Sequence, residues 1–539
     1  MSADIVLYNA NLRTLDDDRP RAASIALRDG KVLAVARHDT LRDSLKPGGE
    51  AIDLHGRLVL PGLVDAHVHL SWYADYLHNV DLRPTTSAYE AARLVAERAA
   101  SVAPGTWIRG HGWSQENWSG RAFPTAAQLD ALTPEHPVYL TTQSAHAAWV
   151  NSRALRQAGI TASTEDPPGG VITRDESGKP TGLLLETAMS LVSDLIPPPS
   201  AAELAGRVQS AIARAHRGGL TGVHDFDGAL AFRAYQILQQ RGDLSLRIVK
   251  NIPVALLDHA LALGLRWGFG NDFLRMGGVK TFADGALGPR TAWMIDPYEG
   301  EPQNYGICVT DPEEMTENVR RASLAGLPST IHAIGDRAVH EVLNAYETVR
   351  KEETARGIVP DRRRHRIEHV QLIHPDDAAR LSQLRVIASM QPNHATSDMV
   401  MADDYWGDRA DYAYNIRLQL DAGAPIALGS DAPVEPIEPL PNIHAAVTRR
   451  RPDGSPRLGG WRSSSRATRC LSVEEAVRGF THGPAYAAGL ENRLGRLSAG
   501  YLADLVVLDQ DIFTCDPMAI HETAILATMV GGEWVYRNF

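Results

Sequence analysis

The chain has 539 residues, 44% hydrophobic and 22% charged, with a net charge of −11 spread without long runs of one sign. That balance belongs to a globular protein and argues against nucleic acid or an anionic membrane as partner. The length exceeds one compact core and suggests a large domain with one or two smaller ones. No run of about 18 apolar residues occurs, so no transmembrane helix is expected. The N-terminal MSADIVLYNANLRTLDDD lacks a basic region followed by an apolar core. The three cysteines, Cys308, Cys470 and Cys515, are too few and too scattered for a disulfide framework. A reducing cytoplasm is therefore the expected setting.

In chain order, residues 4–60 predict short strands at Asp4–Tyr8, Ala23–Leu27 and Val32–Ala36, the last two joined through Asp29-Gly30, a hairpin signal. Leu502–Leu508 and Ile525–Tyr536, with a turn at Gly531-Gly532, read the same way at the other end. Few strands are stable alone. Residues 1–60 and 490–539 are thus expected to pair into one composite β-sandwich, with residues 61–489 forming the main domain.

Leu58–Leu70, LVLPGLVDAHVHL, turns at Pro61-Gly62 and continues as a short strand. Side chains alternate along a strand, so His67 and His69 share a face roughly 7 Å apart. Asp65 lies on the same face. Residues 72–200 are rich in tryptophan and turn signals and end at Pro197-Pro198-Pro199. They predict an insertion after the first strand, lining the pocket. From Ser200 onward strand and helix alternate. Ser200 with Glu203, Asp311-Pro312 and Ser472 with Glu475 mark helix starts. Strands are expected near 66, 223, 249, 278, 330, 368, 388 and 428. Eight strands in regular βα succession predict a closed parallel (β/α)8 barrel of the TIM type. A doubly wound open sheet is the alternative, but no GxGxxG follows the first strand.

Lys280, His332, His369 and Asp431 fall at the C-terminal ends of four of these strands. A barrel brings such ends around one ring, where they would meet His67 and His69. Each has a plain structural alternative: His332 as a core histidine, His369 paired with Glu368, Lys280 in a buried salt bridge, Asp431 as a helix cap. Six together at strand ends favour a site. Histidine and carboxylate without cysteine suit a hydrolytic zinc, manganese, iron or cobalt. Such an ion lowers the pKa of water to about 7 and polarises the carbonyl under attack. Asp431 is the expected proton shuttle from water to the leaving nitrogen. Two ions need a bridging anion, which Lys280 supplies if its amine has become a carbamate (N6-carboxylysine). A free ammonium there favours one ion.

At these residues the chain resembles the amidohydrolase superfamily, through PGLVDAHVHL, Lys280, His332, His369 and Gly429-Ser430-Asp431. More narrowly it is similar to the amidohydrolase family 3 branch that includes N-substituted formamide deformylases. The narrower likeness rests on GWSQENW (112–118), HAAWVNSRAL (146–155), VKTFADGALG (279–288), IHAIGDRAV (331–339), RIEHVQ (366–371), QPNHATSD (391–398), LGSDAPVEP (428–436) and GYLADLVVLD (500–509). The resemblance implies a TIM-like barrel, a terminal β-sandwich, an inserted subdomain and metal-dependent hydrolysis of a carbon–nitrogen bond. It also implies that His67, His69 and Asp431 bind a first ion, His332 and His369 a second, and that Lys280 bridges. Ser114 stands where the branch often has an acid, and Ser144-Ala145 where it often has Asp-Gly.

The expected partner is a small amide, with a homo-oligomer left open. Zinc is the expected ion, one or two per chain. Pocket contacts are sought among His111, Trp113, Gln115, Trp118, His146 and His394, with Asp398 beside it and Tyr405 and Trp406 on an expected loop. The same site on a lactone, ester or cyclic amide, or in decarboxylation or isomerisation, is the second reading, and a metal-free scaffold the third.

Overall fold

The computed structural model describes residues 2–142, 146–457, 459–462 and 469–539. It divides into two compact units, one of residues 1–72 with 208–539 and one of Tyr73–Arg207.

The first unit is built on eight parallel strands. They are β1 (Leu63–Val68), β2 (Leu220–Asp225), β3 (Arg247–Pro253), β4 (Leu274–Phe282), β5 (Ser329–Ala333), β6 (Arg366–His369), β7 (Ile387–Met390) and β8 (Ile426–Leu428). Each pairs with the next in sequence order from β1 to β8. Every residue of β2, β5, β6 and β7 is buried. That is the signature of parallel strands covered on both faces.

The seam between β8 and β1 closes through their ends. Asp431 N donates to His67 O at 2.8 Å, and His69 N donates to Ala432 O at 2.9 Å. Asp65 straps the same seam, accepting from His67 N (2.9 Å), Ser430 N (3.0 Å) and Ser430 Oγ. Gly429 is required here, since a Cβ would come within 2.5 Å of His67 N. The sheet is thus a nearly closed barrel of the TIM type.

Helices cover the strands. Asp336–Ala355 buries Val339, Val342, Leu343, Tyr346 and Val349 on one face, and Tyr346 Oη donates to Ser329 O and Arg366 O. Pro312–Ala325 starts at Asp311, whose carboxylate accepts from Glu313 N and Glu314 N. The serine–glutamate caps at Ser200 and Ser472 also form.

Both chain ends supply two further sheets. One orders 31–36, 24–28, 3–8 and 45–53; the other orders 533–537, 525–530, 505–508, 58–61, 11–13 and 21–22. Leu7, Ile25, Leu27, Leu12, Val59, Leu505, Val507, Ala527 and Met529 share one core between them. The strand 58–61 passes through Gly62 directly into β1, so the terminal sheets anchor the start of the barrel.

The second unit holds a six-stranded mixed sheet in the order 170–174, 180–186, 147–150, 138–142, 108–113 and 80–81. Trp113, Trp118 and Trp149 form the centre of its core. Their ring centroids lie 5.5–6.2 Å apart.

Candidate active site

The C-terminal strand ends bring the predicted ligands together. The rings of His67 and His69 lie 5.7 Å apart, those of His67 and His369 4.9 Å, and those of His369 and His332 4.6 Å. The Nε2 atoms of His67 and His69 stand 3.5 and 3.6 Å from the same oxygen, Oδ1 of Asp431. Lys280 at the end of β4 points its amine between the faces of Phe226 and Phe282, 4.6 and 4.8 Å from their centroids. All six residues line one cavity of about 420 Å³.

Three of the four imidazoles are held from behind by a hydrogen bond. His67 Nδ1 meets Glu368 Oε2 at 2.6 Å, His69 Nδ1 meets Asp227 Oδ1 at 2.9 Å, and His369 Nδ1 meets Gln391 Oε1 at 2.8 Å. His332 Nδ1 lies 3.2 Å from Asp284 Oδ1. These contacts turn Nε2 of His67 and His69 toward Asp431, the arrangement in which a second group fixes tautomer and ring for a metal. The supporting carboxylates are themselves held. Glu368 is paired with Arg366, and Asp227 accepts from Ser71 N and Ser71 Oγ, both at 2.6 Å. Asp284 accepts from Trp293 N, Ile334 N and Gly335 N. The alternative pairing of His369 with Glu368 does not form; Glu368 serves His67 instead.

His369 and Asp431 have φ of +78° and +61°. Left-handed backbone at non-glycine residues is held only where the surroundings impose it, and it concentrates at functional sites. Here it turns both side chains off their strand ends toward the cavity.

Burial drives His67 and His369 well below the ordinary histidine pKa, and neighbouring Lys280 and the other imidazoles add to the effect. Their neutral rings keep a lone pair for a cation. For His69, burial acts downward, but the hydrogen bond and charge of Asp227 outweigh it and raise the pKa. Burial brings Lys280 down to about 8, against the pull of Glu368 and Asp431.

The residues present fit a divalent metal. Two groups of three ligand atoms each lie within 4.8 Å of one another: His67, His69 and Asp431, and His369, His394 and Asp431. Lys280 Nζ and His394 Nε2 are buried and have no hydrogen-bond partner. The second group adds His394 beside His369, while His332, expected at the second ion, has its ring 4.6 Å from that of His369 in the same cavity.

Five other expected contacts, His111, Trp113, Gln115, Trp118 and His146, belong to the second unit. Trp113 and Trp118 are 0% and 4% exposed, and their indole N–H groups donate to Leu140 O and Thr85 O. They are core residues, not pocket contacts. In that same unit His111 stacks on Tyr76 at 3.8 Å, Gln115 donates to Glu116, and His146 Nδ1 lies 3.0 Å from Glu186. Ser144-Ala145 lie outside the described residues. Tyr405 and Trp406 belong to the helix Met399–Trp406 rather than a loop, and Trp406 is fully buried. His394 and Asp398 do line the cavity, joined by Trp72, Phe282, Leu287, Met401 and Glu435. The sequence alone does not assign a role to the supporting Asp227, Asp284 and Gln391. Asp227 and Asp284 stand two residues past a strand end and Gln391 one, and Asp284 and Gln391 fall within VKTFADGALG and QPNHATSD.

The sequence pattern of the amidohydrolase family matches residues 50–536. The chain belongs to the amidohydrolase family. It is 36% identical to the protein LONG AFTER FAR-RED 3 of Arabidopsis thaliana, over 99% of this chain and 92% of that one. It is 29% identical to the N-substituted formamide deformylase of Arthrobacter pascens, over 99% and 98%. An uncharacterized metal-dependent hydrolase from Pyrococcus furiosus superposes with a TM-score of 0.78 at 29% identity, covering 95% of this chain and 100% of that one. This amidohydrolase is therefore a metal-dependent hydrolase on a TIM-type barrel. Among the described residues no helix is long and apolar enough to cross a membrane.

Proposed function

We propose that this amidohydrolase cleaves the carbon–nitrogen bond of a small amide, with N-formyl amines as the first class to test. The observation that carries the reading is the position of Asp431, whose Oδ1 faces the Nε2 atoms of both His67 and His69 in the cavity. Zinc is the ion proposed, held by His67, His69 and Asp431, with a second held by His369 and its neighbours. Bound there, such an ion lowers the pKa of water and polarises a carbonyl oxygen.

The chain's own residues supply the rest. One carboxylate oxygen of Asp431 takes a proton from the attacking water as the new C–O bond forms. The same proton passes to the amide nitrogen as the C–N bond breaks, releasing the carboxylic acid and the amine. The apolar wall of Trp72, Phe282, Leu287 and Met401 suits the organic substituent of the amine. Lys280 is proposed as the bridge after reaction of its amine with CO2. With its pKa at about 8, on the order of a tenth of the amine is neutral at pH 7 and able to react.

The test is a panel of N-formyl amines, longer amides and lactones against zinc-reconstituted protein, with metal content measured alongside. Amide turnover with at least about one ion per chain is expected. Lactone turnover alone would overturn the choice of bond.

A further inference from the structure

We propose that the substrate carries a second nitrogen as a cation, an alkylammonium held by Asp398 and Glu435. The proposal rests on the reading above for the amide end of that substrate; recognition of the cation stands on the cavity itself.

Three acids line the cavity: Asp398, Asp431 and Glu435. Asp431 faces the imidazoles of His67, His69 and His394 at 3.5, 3.6 and 3.8 Å. The other two have no such company. Among the described residues, no Lys, Arg or His nitrogen lies within 4.0 Å of the carboxylate of Asp398 or Glu435. Neither acid belongs to a group of three ligand atoms close enough for a metal ion. Tyr414 Oη donates to Asp398 Oδ2 at 2.8 Å, which fixes that carboxylate and leaves its other oxygen unpaired among the described residues. Burial raises the Glu435 pKa; His394 and Ser397 act against it, while Asp398 and Asp431 add to it. The lysine of the lining, Lys280, is drawn on by Glu368 and Asp431 instead. Two carboxylates therefore act on each other in a partly dehydrated pocket without a cation between them. That arrangement is costly until a bound molecule supplies one.

The rest of the lining suits an alkyl chain that ends in such a charge. Met401 stands three residues along the chain from Asp398, and Val434 directly precedes Glu435. Trp72 is 55% exposed, with its ring 5.7 Å from that of His69, and offers an open indole to a cation. His394, 4% exposed, has Nδ1 3.1 Å from the Gln371 amide and leaves Nε2 without a partner, a buried polar atom facing the same cavity. An ammonium brings three donors and no acceptor, which is what two carboxylates can satisfy. The same charges disfavour a substrate that ends in a carboxylate or phosphate. Asp398 and Glu435 move no proton; they hold the far end of the molecule.

Calorimetry of butane-1,4-diamine and butylamine on the zinc-reconstituted protein tests this. Each offers one amine to the ion, and only the diamine brings a second ammonium. The diamine should bind on the order of tenfold more tightly, and the advantage should vanish in the double variant Asp398→Asn, Glu435→Gln. The ratio of kcat/KM for N-formylbutane-1,4-diamine to that for N-pentylformamide, its uncharged counterpart of equal length, should fall in parallel from about ten to near one. Equal binding of the two amines by the unmodified protein would overturn the proposal without any variant, as would an advantage that survives in the double variant. Preference for the diamine without cleavage of any amide would sink the proposed function alone. Cleavage of amides without that preference would sink only the cation.

Discussion

The barrel unit and the insertion differ in what they bury. Among the described residues, every buried Asp, Glu, Lys and Arg lies in the barrel unit, and none lies in Tyr73–Arg207. The insertion is closed by aromatic packing, with the donors of Trp113, Trp118 and Trp149 all ending on backbone carbonyls. The barrel instead encloses Lys250 against Asp225, Arg366 against Glu368, and Lys280 with no hydrogen-bond partner. Burying a charge costs far more than burying a ring and is tolerated only with a partner or an ion. The asymmetry therefore marks where the chemistry sits.

The comparison breaks first at Asp431. If the buried barrel charges serve catalysis, Asp431→Asn should lower kcat by 10²- to 10⁴-fold, the range for loss of a general acid–base group. His67 and His69 remain, so much of the bound metal should stay. Metal analysis beside steady-state kinetics checks both, and near-normal turnover would remove Asp431 from the proton path. The insertion calls for the opposite response. Trp113→Ala deletes a fully buried ring and should cost about 3–5 kcal/mol of stability. Its kcat/KM per folded molecule should stay within about threefold, in line with a core role. Denaturant unfolding and KM measured together decide it. A raised KM at unchanged stability would return the ring to the pocket.

The same contrast explains what could be read from the sequence. All eight barrel strands were legible because a buried parallel strand is a short apolar run, and its regular spacing repeats the signal. His67, His69, His332 and His369 were legible because they end such runs. Asp227, Asp284, Gln371 and Gln391 were not, since a polar residue in a loop reads like any other until the fold shows which ring it faces. The tryptophans misled for a related reason. An indole serves as well in a core as in a pocket, and only the sheet of 80–186 shows Trp113 and Trp118 pointing inward. His394 fell between these cases: QPNHATSD places it past a strand end, and only the fold shows it lining the cavity beside His369.

The smallest effect separates buried charge from buried ring without any substrate. Glu353, on the helix Asp336–Ala355, is 1% exposed. It accepts from Ser323 Oγ, from His365 Nε2 at 3.1 Å and from Arg350 Nη1 at 2.6 Å. His365 Nδ1 accepts from Ser329 N, which leaves its proton on Nε2 for the glutamate. Burial works to raise the Glu353 pKa, but His365, Ser323 and Arg350 outweigh it and bring it down to about 2. A carboxylate with a depressed folded pKa stabilises the protein above its unfolded value and loses that contribution as pH falls toward the folded one. The window is therefore from about pH 4.5 down to about pH 2. Burial also brings His365 down to about 4, so between about pH 6.5 and 4 the unfolded chain takes up its proton first, and stability falls with pH there too. Urea unfolding of the intact protein between pH 7 and pH 3.5 should show a loss that is smaller, by on the order of 2 kcal/mol, in Glu353→Gln. Trp113→Ala should lower the whole curve without changing its slope, because no proton distinguishes its folded and unfolded states. Parallel curves for all three proteins would mean that acid sensitivity arises elsewhere, and that this buried carboxylate is not among its sources.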